Sequence, residues 1–160
     1  MATRMAAAKR AANPGSSYAR VERFLGTTGL HIETPIDLHE KIVQGFPQKT
    51  MVNLVNGFRI IKIDEGFRAL NISSRTWHRI KANRRQSAAL DADQSSRVWN
   101  LAEVFSKAEE VLGSRDDAER WLDSPAIGLN SRRPIELMAS PQGAELVRTL
   151  LDQMAYGVYV

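Results

Sequence analysis

Apolar residues recur at helical spacing along most of the chain, and the clearest stripe lies between residues 91 and 113. It comprises Val98, Leu101, Phe105, Ala108 and Leu112. Intervals of three and four place these side chains on one face of an α-helix, which Asp91 and Gln94 open as a capping box and Gly113 closes. Such a stripe is either one side of a domain core or a dimerisation seam, and three turns of it favour the core.

The last forty residues predict two further helices and an apolar tail. Arg133 stands at the start of a short helix opened by Pro134, without a side-chain oxygen to cap it. Ser140 and Pro141 open the final helix. Its inner face is predicted to carry Val147, Leu150, Leu151 and Met154. Gly157 is suited to end this helix in a left-handed conformation, which would release the tail as an extended segment. The tail is Val158, Tyr159 and Val160.

The front of the chain predicts a basic arm followed by two helices. We expect residues 1–34 to be partly disordered, with a short helix around residues 18–25. Order is expected to begin at Thr34, which can cap a helix that Gly45 ends. The inner face of that helix is predicted to be Ile36, Ile42 and Val43. A second helix is expected from about Pro47, burying Met51, Leu54 and Val55.

Residues 60–85 have the pattern of a helix-turn-helix motif. A first helix carries Ile63, Phe67 and Leu70, a corner follows at Asn71, and Ser73 can cap a second helix. Asn tolerates the left-handed conformation that such a corner needs. On the second helix Trp77 and Ile80 are predicted to face the core.

The opposite side of that second helix is basic. Between Gly66 and Leu90 there are six Lys or Arg residues and no acid. A solvated surface helix normally mixes both signs, so this bias favours binding to a phosphate backbone over mere solubility. The predicted DNA-binding residues are Ser73, Ser74, Arg75, Thr76, His78, Arg79, Lys81, Arg84 and Arg85.

Charge divides the chain into unlike parts. Residues 1–34 carry a net charge of +3, residues 35–96 carry +4, and residues 97–160 carry −3. A basic front suits a polyanion and an acidic back suits a different partner, so the division predicts two functions. The absence of cysteine excludes disulfides and thiolate metal sites. No apolar run approaches the length of a membrane span, and we expect a cytoplasmic protein.

Catalytic and metal-binding patterns are missing from the sequence. The three histidines, His31, His39 and His78, have no second ligand at metal spacing, and no phosphate loop or nucleophile elbow occurs. We therefore expect neither an enzyme nor a resident cofactor or metal. Three other functions stay open: an antitoxin, a plain helix-turn-helix regulator that dimerises or senses a ligand, and an RNA-binding adaptor. The adaptor lacks an aromatic stacking platform.

The spaced motifs of residues 121–160 resemble a known family. They read WL-x-x-P-x-x-x-L-x-x-R-x-P-I-E-L, then G-x-x-x-V-x-x-L-L and Y-G-V-Y. This pattern resembles the C-terminal domain of the Xre/MbcA/ParS-type antitoxins, and the likeness extends over residues 35–160. The resemblance implies an Xre-like helix-turn-helix domain over residues 35–90 and a helical toxin-binding domain over residues 91–160.

The resemblance also implies the partners. They are a RES-type toxin that consumes NAD, operator DNA through which the antitoxin represses its own operon, and a second copy of the chain in a larger complex. The tail, with its terminal carboxylate, is expected to enter the toxin's active site. The predicted toxin-binding residues are Arg132, Arg133, Val147, Leu151, Met154, Tyr156, Gly157, Val158, Tyr159 and Val160.

Overall fold

The computed structural model of the chain describes residues 17–27, 29–83 and 87–157. Over these residues the fold is all-α, as predicted, with two isolated β-bridges and no strand. The first helices are α1 (Ser17–Phe24), α2 (Pro35–Gln44), α3 (Gln48–Asn56), α4 (Ile63–Ala69) and α5 (Ser74–Ala82). They are followed by α6 (Ala92–Leu112), α7 (Arg115–Leu122), a 3₁₀ turn (Ile127–Leu129), α8 (Pro134–Leu137) and α9 (Pro141–Ala155).

Helix α6 is the centre of the fold. It packs against α1, α2, α3, α7 and α9. The predicted capping box at Asp91 and the left-handed Gly113 bound it. Four residues of its stripe are fully buried within this one chain, and the fifth, Leu112, is half-buried. The Phe105 ring meets the rings of Phe24 and Phe58 edge-on, with centroids 4.8 and 5.4 Å apart. The core interpretation of the stripe is therefore confirmed. The buried apolar residues form one continuous cluster, so the two predicted domains share a core.

Helix α1 joins that core. It lies where the short helix was predicted, and Val21, Phe24 and Leu25 are buried. Leu30 and Ile32 are buried as well. The expectation that order begins only at Thr34 is therefore wrong. The sequence signal was weak because these apolar residues follow no single helical period across the loop after α1. Residues 1–16 lie outside the described part of the chain.

Helix α2 has its predicted boundaries but only part of its predicted inner face. Thr34 and Asp37 form the capping box, and Gly45 ends the helix at φ 89°. Hydrogen bonds from the Thr34 side chain and from the backbone of Glu33 and Thr34 lower the pKa of Asp37 below its usual value. Ile36 and Val43, however, are 65% and 63% exposed. Ile42 packs on the core as predicted, together with Leu38, because these two residues lie four apart on the opposite side of the helix.

A buried carboxylate fixes the loop that leads into α4. Glu119, on α7, is fully buried and accepts backbone N–H groups from Arg59, Ile60 and Ile61 at 2.9, 2.7 and 3.3 Å. Several donors to one carboxylate offset the free energy of removing its charge from water. This contact ties the start of α4 to the C-terminal third of the chain.

The junction of α8 and α9 is close enough to require glycine. A Cβ at Gly143 would lie 1.9 Å from the carbonyl oxygen of Leu137. Ser140 caps α9 by accepting the Gly143 N–H at 3.0 Å. Arg133 provides no side-chain cap for α8, as predicted. Trp121 is half-buried and packs at the edge of the core.

Candidate functional site

The α4–α5 unit has the turn that the sequence predicts. Asn71 is left-handed at φ 55°, and the Ser73 hydroxyl accepts the Thr76 N–H at 3.2 Å. Beneath the turn, the rings of Phe67 and Trp77 stack with centroids 5.7 Å apart. Trp77 and Ile80 are buried, which confirms the inner face of α5. Ile63, expected on the inner face of α4, is exposed because it occupies the first position of that helix.

The outer face of α5 is cationic and open to solvent. Arg75, His78, Arg79 and Lys81 are exposed, as are Ser73 and Ser74, whereas Thr76 is half-buried. The His78 ring is held near the start of the helix, with Nδ1 2.7 Å from the carbonyl oxygen of Ser74. The remaining two predicted residues, Arg84 and Arg85, lie outside the described part of the chain. Their DNA-binding role stays a prediction.

The cations of α5 differ from those of the C-terminal third. Within residues 17–27, 29–83 and 87–157, the side chains of Arg75, Arg79 and Lys81 form no ion pair. Arg148, by contrast, pairs with Glu103 and Glu145 at 2.9 Å each, and Lys107 pairs with Asp152. Unpaired guanidinium groups retain their donors for an external acceptor.

Arg133 is held inside the molecule. Its guanidinium lies 2.8 Å from carboxylates of Glu65, Asp123 and Glu136. Hydrogen bonds that Arg133 donates to Glu136 and then to Glu65 raise the pKa of Arg133. Glu65 belongs to α4, so this cluster joins the α4–α5 unit to α7 and α8. The Arg133 side chain is engaged by three acids but still 30% exposed, and its neighbour Arg132 is exposed. Their contact with a toxin stays a prediction.

The predicted toxin-binding residues of α9 separate into buried and exposed groups. Val147 and Leu151 are completely buried, so they support the helix and offer no contact surface. Met154 is half-buried, while Tyr156 is 83% exposed. Gly157 is left-handed at φ 71°, as predicted, and follows directly on the last helical turn. Val158, Tyr159 and Val160 lie outside the described residues.

Two exposed apolar residues of the same region are absent from the sequence prediction. Ile127 is 86% exposed on the 3₁₀ turn, and Leu146 is 56% exposed on α9. The turn packs on α9 so closely that a Cβ at Gly128 would lie 2.8 Å from the Leu150 side chain. A helical wheel could have found Leu146, which lies about 100° from Val147. Ile127 gave no signal because it stands in a short irregular segment.

Two negative findings apply to the described residues alone. No group of three or more histidines and acids is arranged there to hold a metal ion. No helix there has the length and apolar character needed to cross a membrane. The expected absence of a metal and of catalysis stays a prediction.

Comparisons with known proteins bear on the C-terminal third. Residues 107–157 match the family model for the antitoxin Xre/MbcA/ParS C-terminal toxin-binding domain. The chain is similar to Antitoxin Xre of Pseudomonas putida strain KT2440, with 24% identity over 160 residues, 91% of this chain and 97% of that protein. It is also similar to the Prs ADP-ribosylating antitoxin of Sphingobium sp. strain YBL2, with 30% identity over 102 residues, 58% of this chain and 62% of that protein. These comparisons support an antitoxin of the Xre/MbcA/ParS type, with the match to a toxin-binding domain confined to residues 107–157.

Proposed function

We propose that this antitoxin neutralises a RES-type, NAD-consuming toxin with its C-terminal region and binds operator DNA through α5 to repress its own operon. The match of residues 107–157 to a toxin-binding domain carries the first half of the proposal. The class of toxin follows from the resemblance of the spaced motifs. The two activities are assigned to helices that share one core but present different surfaces to solvent.

The toxin-contact surface is proposed to combine apolar anchors with the tail. Ile127, Leu146 and Tyr156 are exposed within the matched domain. Of the three, the aromatic Tyr156 is the type of residue that dominates interface energy when a partner covers it. After Tyr156, Gly157 is left-handed, a conformation that commonly ends a helix. We assign residues 156–160 to the toxin's cofactor cleft, where they would exclude NAD.

Operator binding is proposed for the outer face of α5. Arg75 and Arg79 lie four residues apart, so they project from one side of the helix. In helix-turn-helix proteins the second helix lies in the major groove, and Arg pairs with guanine through two hydrogen bonds. Lys81, further along the helix, is suited to a phosphate. Repression follows if the operator overlaps the promoter of the antitoxin's own operon.

Titration of the toxin's NADase activity tests the first half. The full-length chain should abolish NAD loss at stoichiometric ratio, and a chain lacking residues 156–160 should not. Circular dichroism and operator binding serve as folding controls for the truncated chain, since Tyr156 and Gly157 make no contact that the core depends on. Full inhibition by the truncated chain would show that residues 156–160 are not needed to neutralise the toxin and would leave the tail only a structural role. Failure of the intact chain to inhibit would leave a plain helix-turn-helix regulator.

A further inference from the structure

The exposed side of α2 carries a stripe of four residues that neither proposed activity uses. Ile36, His39, Glu40 and Val43 follow at i, i+3, i+4 and i+7, so they lie on one face along two helical turns. All four side chains are exposed, and the two apolar ones stand at the ends of the stripe. Within the described part of the chain, neither His39 nor Glu40 has a hydrogen-bond or ion-pair partner through its side chain.

The orientation of this stripe is fixed by the rest of the helix. The capping box of Thr34 and Asp37 holds the start of α2, and Gly45 closes its end through hydrogen bonds to Lys41 and Ile42. Leu38 and Ile42 anchor the opposite side on the core. The stripe is therefore a constant outward surface of a well-capped helix.

The stripe is complementary to itself in one arrangement. When two copies of α2 are placed antiparallel about a two-fold axis between residues 39 and 40, Ile36 of one copy faces Val43 of the other. The same axis sets His39 opposite Glu40, once on each side. At each end of the contact Ile36 thus meets Val43. At its centre the imidazole of His39 faces the carboxylate of Glu40.

We infer that α2 forms the homodimer contact of this antitoxin, with a second copy of the chain as its antiparallel partner. This inference rests on the proposed operator binding, because helix-turn-helix dimers read two half-sites through two-fold symmetry. The location agrees with that role. The α2–α3 connection leads into Gln48, which lines one depression with Arg79 of α5 and with Asn83, the residue that follows this helix. A contact at α2 therefore sets the separation of the two α5 helices.

Other partners fit the stripe less well. DNA is disfavoured because Glu40 stands at the centre and the flanking side chains are apolar. The toxin is assigned to residues 107–157, none of which belongs to α2. The self-complementary order of the four residues gives no advantage to an unrelated partner.

Sedimentation equilibrium of the full-length chain, without DNA or toxin, tests the inference through a charge exchange. His39→Glu places carboxylates opposite one another at two symmetric pairs and should weaken the dimer about tenfold. Glu40→Lys removes the carboxylate that faces the imidazole and should also weaken it. The double variant sets a carboxylate opposite an ammonium at both pairs and should return the dissociation constant to near that of the wild type. Only the antiparallel self-pairing brings residue 39 opposite residue 40, so this rescue is specific to it.

Val43→Asp should raise the dissociation constant of the dimer more than the charge variants do. Gln44→Asp is its matched control. Val43→Asp places two carboxylates against Ile36 and should weaken the dimer about 100-fold. Gln44→Asp adds the same charge at an exposed neighbouring position outside the stripe and should leave the dissociation constant nearly unchanged. All these positions are exposed, so the variants keep the fold.

The outcomes separate this inference from the proposed function. Monomeric Val43→Asp should still inhibit the toxin, whereas Arg75→Ala with Arg79→Ala should dimerise normally without binding the operator. A wild-type chain that is monomeric at all accessible concentrations overturns the inference. So does a dimer that is indifferent to Val43→Asp, or single charge variants that the double variant does not rescue. In each of these cases operator binding and toxin inhibition can still succeed.

Discussion

Helices α5 and α9 both have one apolar face in the shared core, Trp77 and Ile80 in the first and Val147 and Leu151 in the second. Both start at a serine cap. Their outer faces are unlike. The surface of α5 is cationic and unpaired, whereas α9 exposes Leu146 next to the acid Glu145, which is paired with Arg148. The inner faces therefore explain why each helix is present, and the outer faces distinguish what each can bind.

The surfaces of α5 and α9 both depend on the core around α6. Phe105→Ala tests that dependence and should have the largest effect of all the variants. Phe105 is fully buried between Phe24 and Phe58. Its truncation should lower the free energy of unfolding by about 3–5 kcal/mol in chemical denaturation. Leu146→Ala, at an exposed leucine, should change stability by less than about 0.5 kcal/mol. Operator binding and toxin inhibition should fail together as Phe105→Ala unfolds. Loss of one activity well before the other would show two separately stable parts.

Arg75→Ala combined with Arg79→Ala should remove operator recognition alone. Each base contact by arginine contributes about 1–3 kcal/mol of discrimination between the right and the wrong base. The loss is to be measured by fluorescence anisotropy as the ratio of affinities for operator and scrambled DNA. The matched control is Arg23→Ala with Arg132→Ala, which removes the same charge from exposed positions elsewhere. The control should bind the operator nearly as the wild type does. Equal losses in the two double variants would mean that net charge, not the face of α5, holds DNA.

Tyr156→Ala tests the other side of the comparison. The exposed ring at the end of α9 is proposed as an anchor in the toxin. Its loss should weaken the free energy of toxin binding by about 2 kcal/mol, which raises the inhibition constant roughly thirtyfold. Gln142→Ala, at an exposed position in the first turn of α9, is the control and should inhibit normally. Operator binding should be unaffected in both. An unchanged inhibition constant for Tyr156→Ala would move the contact to the side of α9 that carries Leu146.

Sequence reasoning succeeded where local chemistry decides the structure. The caps at Thr34, Ser73 and Asp91 and the left-handed Asn71 and Gly157 depend on a few adjacent residues, and all were predicted. The buried stripe of α6 was predicted because the core surrounds this central helix. The helical spacing of its apolar residues is therefore visible in the sequence. These features fix most of the helices before any tertiary contact is known.

Sequence reasoning failed where neighbours in space decide which side of an element is covered. Ile36 and Val43 have the composition of an inner face, but the core reaches α2 only at Leu38 and Ile42. Val147 and Leu151 were assigned to a partner although the chain itself covers them. The ion cluster of Arg133 could not be found either, since Glu65 lies far away along the chain. Apolar or charged character alone does not reveal which neighbour satisfies it.

The smallest expected effects come from the matched caps of the two helices. Ser73→Ala and Ser140→Ala each remove one hydroxyl that accepts a backbone N–H, at 3.2 and 3.0 Å, and each should lower the free energy of unfolding by about 1 kcal/mol. Hydrogen exchange should speed up in the first turn of the altered helix alone. Only Ser73→Ala should weaken operator binding, because the first turn of α5 carries Ser74 and Arg75. If Ser140→Ala weakens operator binding equally, the two helices are coupled through the core and their surfaces do not act independently.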